Sequence, residues 1–152
     1  MKYTIDLYKT AVENSDRAFD NLLRNQMIRT TDWQRGGYLS KDFGIVPYGA
    51  GGSVSTAIML YFCPESKFYQ SDEAYNAADL LFTFLYDNLR PSGVIDYHVA
   101  NFYSAPDTSF TNIGLCKTYN FIKNRDEGAR GEELKKRLYD ALSKLADGIF
   151  TG

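Results

Sequence analysis

The residues best suited to chemistry crowd into one stretch, Asp96-Tyr97-His98-Val99-Ala100-Asn101-Phe102-Tyr103, which holds the only histidine of the chain. Imidazole and phenol groups can exchange protons with a substrate, and a side-chain amide can hydrogen-bond a carboxylate. His98, Tyr97 and Tyr103 are therefore candidates for proton transfer, and Asn101 for holding a carboxylate. The plainer reading of His98 is a hydrogen bond to the backbone that holds its own loop. Asp96 has a similar alternative, since a carboxylate in a turn readily accepts backbone N–H groups. A second aromatic set, Trp33, Tyr38 and Tyr48, precedes it in the chain. Such rings stack on sugars or fold back over a core.

Other chemistries find little support. One histidine and two distant cysteines, Cys63 and Cys116, lack the local spacing of a metal site, although carboxylates alone can hold calcium. No cofactor is expected. The glycines of Tyr48-Gly49-Ala50-Gly51-Gly52-Ser53 precede a helix and could cradle an anion there. They lack the Lys-Ser/Thr ending of a P-loop and a preceding strand, so backbone flexibility explains them better.

These stretches lie between helical segments. Ile5, Tyr8, Val12, Phe19, Leu22, Leu23 and Met27 recur at helical spacing and predict an amphipathic helix from about Asp6 to Arg29. A long irregular segment, Thr31 to Gly52, follows, of the kind that is usually functional. Ser53 then caps an apolar, interior helix from Val54 to Phe62. Ser71 or Asp72 caps a third helix to about Leu89, with Asn76, Asp79, Thr83 and Asp87 as its polar stripe. A second long loop, Arg90 to Pro106, carries the Asp96 to Tyr103 cluster. Asp107 or Thr108 caps a fourth, interior helix from Ser109 to Lys123, and a fifth runs from Glu132 to about Ile149 on a stripe of leucines, with Gly148 as terminator. On that last helix Glu132–Lys136 and Glu133–Arg137 are well-oriented pairs, and Lys135-Lys136-Arg137 reads as a solvated face.

Outer helix, long loop, inner helix and short turn thus alternate. If successive helices run antiparallel, both long loops fall at one end, bringing Trp33, Tyr38 and Tyr48 beside the Asp96 cluster. The expected fold is all-α, built of antiparallel helical hairpins that form an incomplete α/α toroid, in one domain spanning the chain.

Composition narrows the partners. The 152 residues carry a net charge of -2 from 17 basic and 19 acidic groups, which argues against nucleic acid held through phosphate charge. The longest apolar run, Ala57 to Cys63, is far short of a membrane span. Few cysteines and a charged beginning without an apolar leader point to a reducing, cytoplasmic setting. An aromatic content of 15% suits a wet cleft for polar rings as well as buried seams.

Gly93-Val94-Ile95-Asp96, followed by Asn101-Phe102-Tyr103-Ser104-Ala105-Pro106-Asp107-Thr108-Ser109-Phe110, resembles a stretch of heparinase II/III-like proteins, close to G-x-I-D and then N-F-H-S-x-P-D-T-A-F. The order of helices and loops is similar to the N-terminal toroid of that family. The resemblance implies the front portion of a polysaccharide lyase, or a truncated relative of one. Such lyases cleave uronic-acid glycosides by β-elimination and carry further toroid helices and β-sheets. β-Elimination needs a group that neutralises the substrate carboxylate, a base for the C5 proton and an acid for the leaving oxygen. It further implies His98, Tyr103 and Asn101 as catalytic candidates, Asp96, Tyr97, Trp33, Tyr38 and Tyr48 as substrate contacts, and an acidic poly- or oligosaccharide as partner. Two departures stand out. Tyr103 occupies the family's histidine position, and the Asn-His pair that follows a stretch like Leu145–Gly152 is absent. The chain alone is therefore expected to be inactive.

Two other classes remain open. A helical-repeat binding module could dock a second copy through the leucine stripe of the fifth helix, giving a homo-oligomer. A toroidal glycoside hydrolase would require a second carboxylic acid facing Asp96.

Overall fold

Short side-chain caps and helical spacing divide the chain into α1 (Lys2–Asn25), α2 (Ala50–Tyr61), α3 (Asp72–Asp87), strands β1 (Ile95–Tyr97) and β2 (Asn101–Ser104), α4 (Ala105–Ile122) and α5 (Gly128–Thr151). The structure, a computed structural model, describes residues 2–29, 33–39, 44–45, 49–97 and 101–151, with the side chains of 2–5, 101 and 151 left out. It is mainly helical, as expected, with one small antiparallel hairpin where a loop was expected.

The boundaries differ from expectation for local reasons. α1 ends four residues early because the chain turns back on itself after Asn25. Met27 N–H donates to Gly37 O at 2.7 Å and Gly36 N–H to Met27 O at 2.8 Å. α2 starts at Ala50, before the expected Ser53 cap, and the Ser53 hydroxyl donates instead to Gly49 O at 3.2 Å. Gly51 is required there, because a Cβ would run into the Thr111 side chain of α4. Ser71 caps α3 as expected, accepting from Ala74 N–H at 3.1 Å. For α4 the cap is Ser104, not Asp107 or Thr108. Its hydroxyl accepts from Asp107 N–H at 3.2 Å, the N-cap bond, and donates to the Asp107 carboxylate. Pro106 sits in the first turn, where its missing N–H costs nothing.

The helices share a core built on Phe19, Ile58, Phe62, Leu81, Phe82, Leu85, Leu115, Ile122, Leu134 and Leu138. α2 packs between α3 and α4, α5 closes on α4 and α3, and α1 lies against α2. α2 is mostly buried, but the expectation of an interior α4 fails. Only Thr108, Thr111, Leu115, Thr118 and Ile122 are buried, while Phe110, Ile113, Cys116 and Phe121 face out. A helix with apolar residues all round can still have only one covered face.

α5 extends to Thr151, because Gly148 is a contact and not a terminator. A Cβ there would lie 2.5 Å from the Gly93 carbonyl carbon, so the loop after α3 rests directly on the helix backbone. Arg137 reaches the Asp79 carboxylate and lies over the Phe82 ring, while Lys135 donates to Arg125 O at 2.7 Å. Of that basic run only Lys136 is solvated, paired to Asp140 rather than Glu132. The leucine stripe of α5 is also spent within the chain. Leu134, Leu138 and Leu145 are buried, so the docking surface expected on α5 is covered by α3 and α4.

Successive helices run antiparallel, and the connections sort by length. Asn88 Nδ2 donates to Trp33 O at 3.0 Å, joining the two long connections at one end. At the other, Tyr69 donates to the Glu127 carboxylate at 2.7 Å and Arg125 to Phe62 O at 3.1 Å. Among the described residues, no helix is long and apolar enough to cross a membrane.

Candidate functional site

The site is built on the turn after α3. Gly93 N–H donates to Arg90 O at 2.8 Å, closing a turn over Pro91 and Ser92. Gly93 has φ +91° and presses against Lys144 O, so both its conformation and the missing Cβ are required. Arg90 N–H then donates to Val94 O at 2.9 Å, and the chain enters β1.

β1 and β2 pair with an irregular register, Ile95 against Ser104 and Tyr97 against Asn101. The slip is stabilised from both sides. Ile95 N–H donates to Thr108 Oγ1 at 2.9 Å, and Thr108 donates to Ser104 O at 2.6 Å, tying the hairpin to the first turn of α4. Tyr103 takes a left-handed backbone with φ +54°, uncommon outside glycine. Its N–H donates to Asp96 Oδ1 at 2.9 Å. The other carboxylate oxygen, Oδ2, receives Arg90 Nη2. Arg90 then lies over the Tyr103 ring, with its guanidinium carbon 4.6 Å from the centroid. Asp96 thus fixes both the backbone and the cation beneath which Tyr103 is displayed.

The electrostatics follow from that pair. The Asp96 carboxylate holds Arg90 above its ordinary value, opposed by a smaller desolvation effect. Asp96 is nearly enclosed, whereas Arg90 keeps 38% of its side-chain surface exposed. Beside them opens a cleft of about 390 Å3 lined by Trp33, Asp87, Asn88, Leu89, Arg90, Pro91 and Asp96.

Of the expected site residues, Trp33, Asp96 and Tyr103 come together around Arg90. Tyr38 does not join them. It pairs by backbone with Gln26 and lines a separate cleft with Asn21, Leu22, Gly49 and Ser53. Tyr97 is half-buried in β1. Asn101 is placed by its backbone alone, opposite Tyr97. The readings of His98 and Tyr48 lie outside the described residues. Arg90 was missed by inspection of the sequence. Its signal was the Arg90-Pro91-Ser92-Gly93 turn itself, which sets a basic residue close to a carboxylate six positions on.

Compared with known proteins, the chain matches no family model, no curated protein and no solved structure. The chemistry of this cleft must therefore be argued from its own residues. A flat indole, a planar guanidinium and a set of amide and carboxylate groups make a surface for a polar ring. Trp33 contributes a flat ring to the lining, Arg90 a guanidinium with 38% of its side-chain surface exposed, and Asp87 a carboxylate acceptor, while the Asn88 amide N–H groups are spent on Trp33 O and Phe84 O.

Proposed function

We propose that the long-loop end binds a saccharide, with the ring stacked on Trp33 and its hydroxyls held by the Arg90–Asp96 pair. The observation that carries this reading is the Asp96 carboxylate holding Arg90 over Tyr103 in the same cleft that Trp33 lines. Antiparallel helical hairpins with their long connections at one end support an incomplete toroid of the heparinase II/III-like kind. In that setting the chain supplies one wall of a cleft and is inactive alone.

The charges of the described walls sharpen the ligand class. Two carboxylates, Asp87 and Asp96, and one guanidinium, Arg90, line the cleft, so these walls suit a neutral ring better than a uronate. Binding the acidic saccharide implied by the sequence resemblance requires further cations from outside this cleft. β-Elimination by Tyr103, with His98 and Asn101, is the enzymatic form of the same reading. It is favoured by the display of Tyr103 at the hairpin, with 61% of its surface exposed.

Trp33 is the only tryptophan, so emission excited selectively at the indole, beyond the tyrosine absorption band, reports on this cleft. Titration with neutral and uronate oligosaccharides is expected to shift Trp33 emission, with the neutral series binding more tightly. Arg90→Ala is expected to weaken binding about tenfold or more, the equivalent of one charged hydrogen bond. Unchanged emission with both series sinks the saccharide reading. Accumulation of an unsaturated product from a uronate polymer overturns the expectation that the chain is inactive.

A further inference from the structure

The arginines of this chain divide into two sets. Of eight, five are engaged inside the molecule: Arg17 by Asn14, Arg90 by Asp96, Arg125 by Phe62 O, Arg130 by Asp72 and Arg137 by Asp79. Among the described residues, the guanidiniums of Arg24, Arg29 and Arg35 have no hydrogen bond, ion pair or ring contact, and all three residues are exposed. Arg24 has a local reason, the carbonyl end of α1, which favours a cation. Arg29 and Arg35 lie outside any helix and have no such reason.

The fold gathers these three in one corner. Arg24 and Arg29 line a groove of about 320 Å3 whose apolar walls are Leu23, Met27 and Ile28, the last 57% exposed. Arg35 stands in the adjoining turn, closed by Gly37 N–H donating to Gln34 O at 3.0 Å. Met27 clasps that turn to the groove, giving its N–H to Gly37 O and accepting from Gly36 N–H. The buried Gln26 amide secures it further, donating to Gly36 O at 3.1 Å and to Ala77 O at 3.2 Å. Backbone bonds thus set Arg35 beside Met27 before any ligand arrives. The charge nearby is one-sided. The last acid of α1, Asp20, is taken by Lys67, and from Asn21 to Leu39 the single acid is Asp32, outside the described residues.

We propose that this groove binds an acidic peptide segment of another protein, with carboxylates on Arg24, Arg29 and Arg35 and an apolar side chain against Leu23, Met27 and Ile28. Charge complementarity names the occupant, because a planar guanidinium receives a carboxylate through two parallel hydrogen bonds. A bare polyanion such as a nucleic acid would leave the apolar walls unused, and a flat lipid surface does not enter a groove. The proposal uses none of the side chains that line the saccharide cleft and stands apart from that reading.

The probe is a fluorescein-labelled peptide that sets one leucine between two pairs of glutamates, and its anisotropy with the full chain is the measurement. Saturable binding is expected, weakening as sodium chloride is raised. Arg24→Gln and Arg29→Gln should each weaken it about threefold to fivefold, and the double variant about tenfold or more. Circular dichroism of these variants should match the wild type, because both side chains are exposed and unengaged. Glycine in place of the peptide's leucine should also lower the affinity, which a purely ionic contact would not show. No saturable binding overturns the proposal. So does equal binding of a peptide with glutamines for its glutamates, of the glycine peptide, or by the double variant. Binding of phosphatidylserine vesicles without binding of the peptide overturns it in favour of a lipid surface.

Discussion

The two ends of the molecule are held in different ways. At the long-loop end, backbone rests on backbone. Gly36 lies against Leu80 O with φ +88°, Gly93 against Gly148, and the buried Gln26 amide donates to Gly36 O at 3.1 Å and to Ala77 O at 3.2 Å. At the short-turn end, exposed polar side chains do the joining. Glu127 receives Tyr69 and Gln70, Asp16 receives Ser66 at 2.6 Å and Lys67 N–H at 3.2 Å, and Tyr8 donates to Glu65 at 3.1 Å. Close backbone contact has no slack, so a substitution there displaces a whole loop. Exposed side-chain bonds compete with water and are replaceable one by one. The described contacts beneath the candidate cleft are thus the close backbone kind that a preorganised site requires.

The sharpest break of this comparison is Gly148→Ala. Inside a helix alanine is favoured over glycine by roughly 1 kcal/mol, so propensity alone predicts stabilisation. The added Cβ would instead strike the backbone of Gly93 and Val94. Stability is expected to fall by about 3 kcal/mol or more in urea unfolding, and the saccharide response of Trp33 fluorescence with it. A neutral or stabilising result would mean that the cleft loop is not fixed by α5. Next in size is Gln26→Ala, which leaves two carbonyls without their donor in a buried setting. It is expected to cost about 2 kcal/mol by the same measurement.

Legibility from sequence divides along the same line. The helices and the grouping of their connections follow from periodicity and from caps such as Ser71, because those signals are local. The leucine stripe of α5 also found its buried face. What escaped depends on tertiary contact. Gly148 reads as a terminator until the Gly93 backbone is seen to fill the space beside it. Phe110, Ile113 and Phe121 read as core because residue type gives apolarity but not which face is covered. Asp107 reads as a cap because Pro106 precedes it, although proline is well tolerated inside a first turn and Ser104 does the capping. At the site, Asp96 and Tyr103 were visible as candidates. Arg90, which organises them, was hidden in a turn that looked merely structural.

The seam between α3 and α5 offers a test of intermediate size. Burial pushes the Tyr86 phenol up to about 12, with the Asp140 carboxylate adding to the shift. In the unfolded chain a tyrosine titrates near 10. The folded state therefore holds this proton more tightly. The stability that results is complete below about pH 10 and is lost as pH rises through 12. Tyr86→Phe also removes a hydrogen bond to Arg137 O of 3.2 Å, and is expected to cost about 1 kcal/mol at neutral pH. Urea unfolding between pH 9 and about pH 12 should show the wild type losing stability faster than the variant. Parallel curves would show that Tyr86 does not carry the difference.

The smallest effect belongs to the short-turn end, and it is diagnostic because it is small. Glu127 accepts from both Tyr69 and Gln70 and so bridges the two turns, which on a contact diagram looks as important as Gln26. All three groups keep access to water, so Glu127→Gln exchanges hydrogen bonds with solvent and leaves no buried group unpaired. Tm should move by about 2 °C at most. The local electrostatics should nevertheless change. The Glu127 carboxylate raises the Tyr69 phenol, first through their hydrogen bond, so the amide variant should let Tyr69 ionise at lower pH. A tyrosine absorbance titration resolves that shift without relying on unfolding. A lowered Tyr69 titration with an almost unchanged Tm is the result that keeps the two ends distinct. A large loss of stability would show instead that the short turns, like the long loops, lock the helices in place.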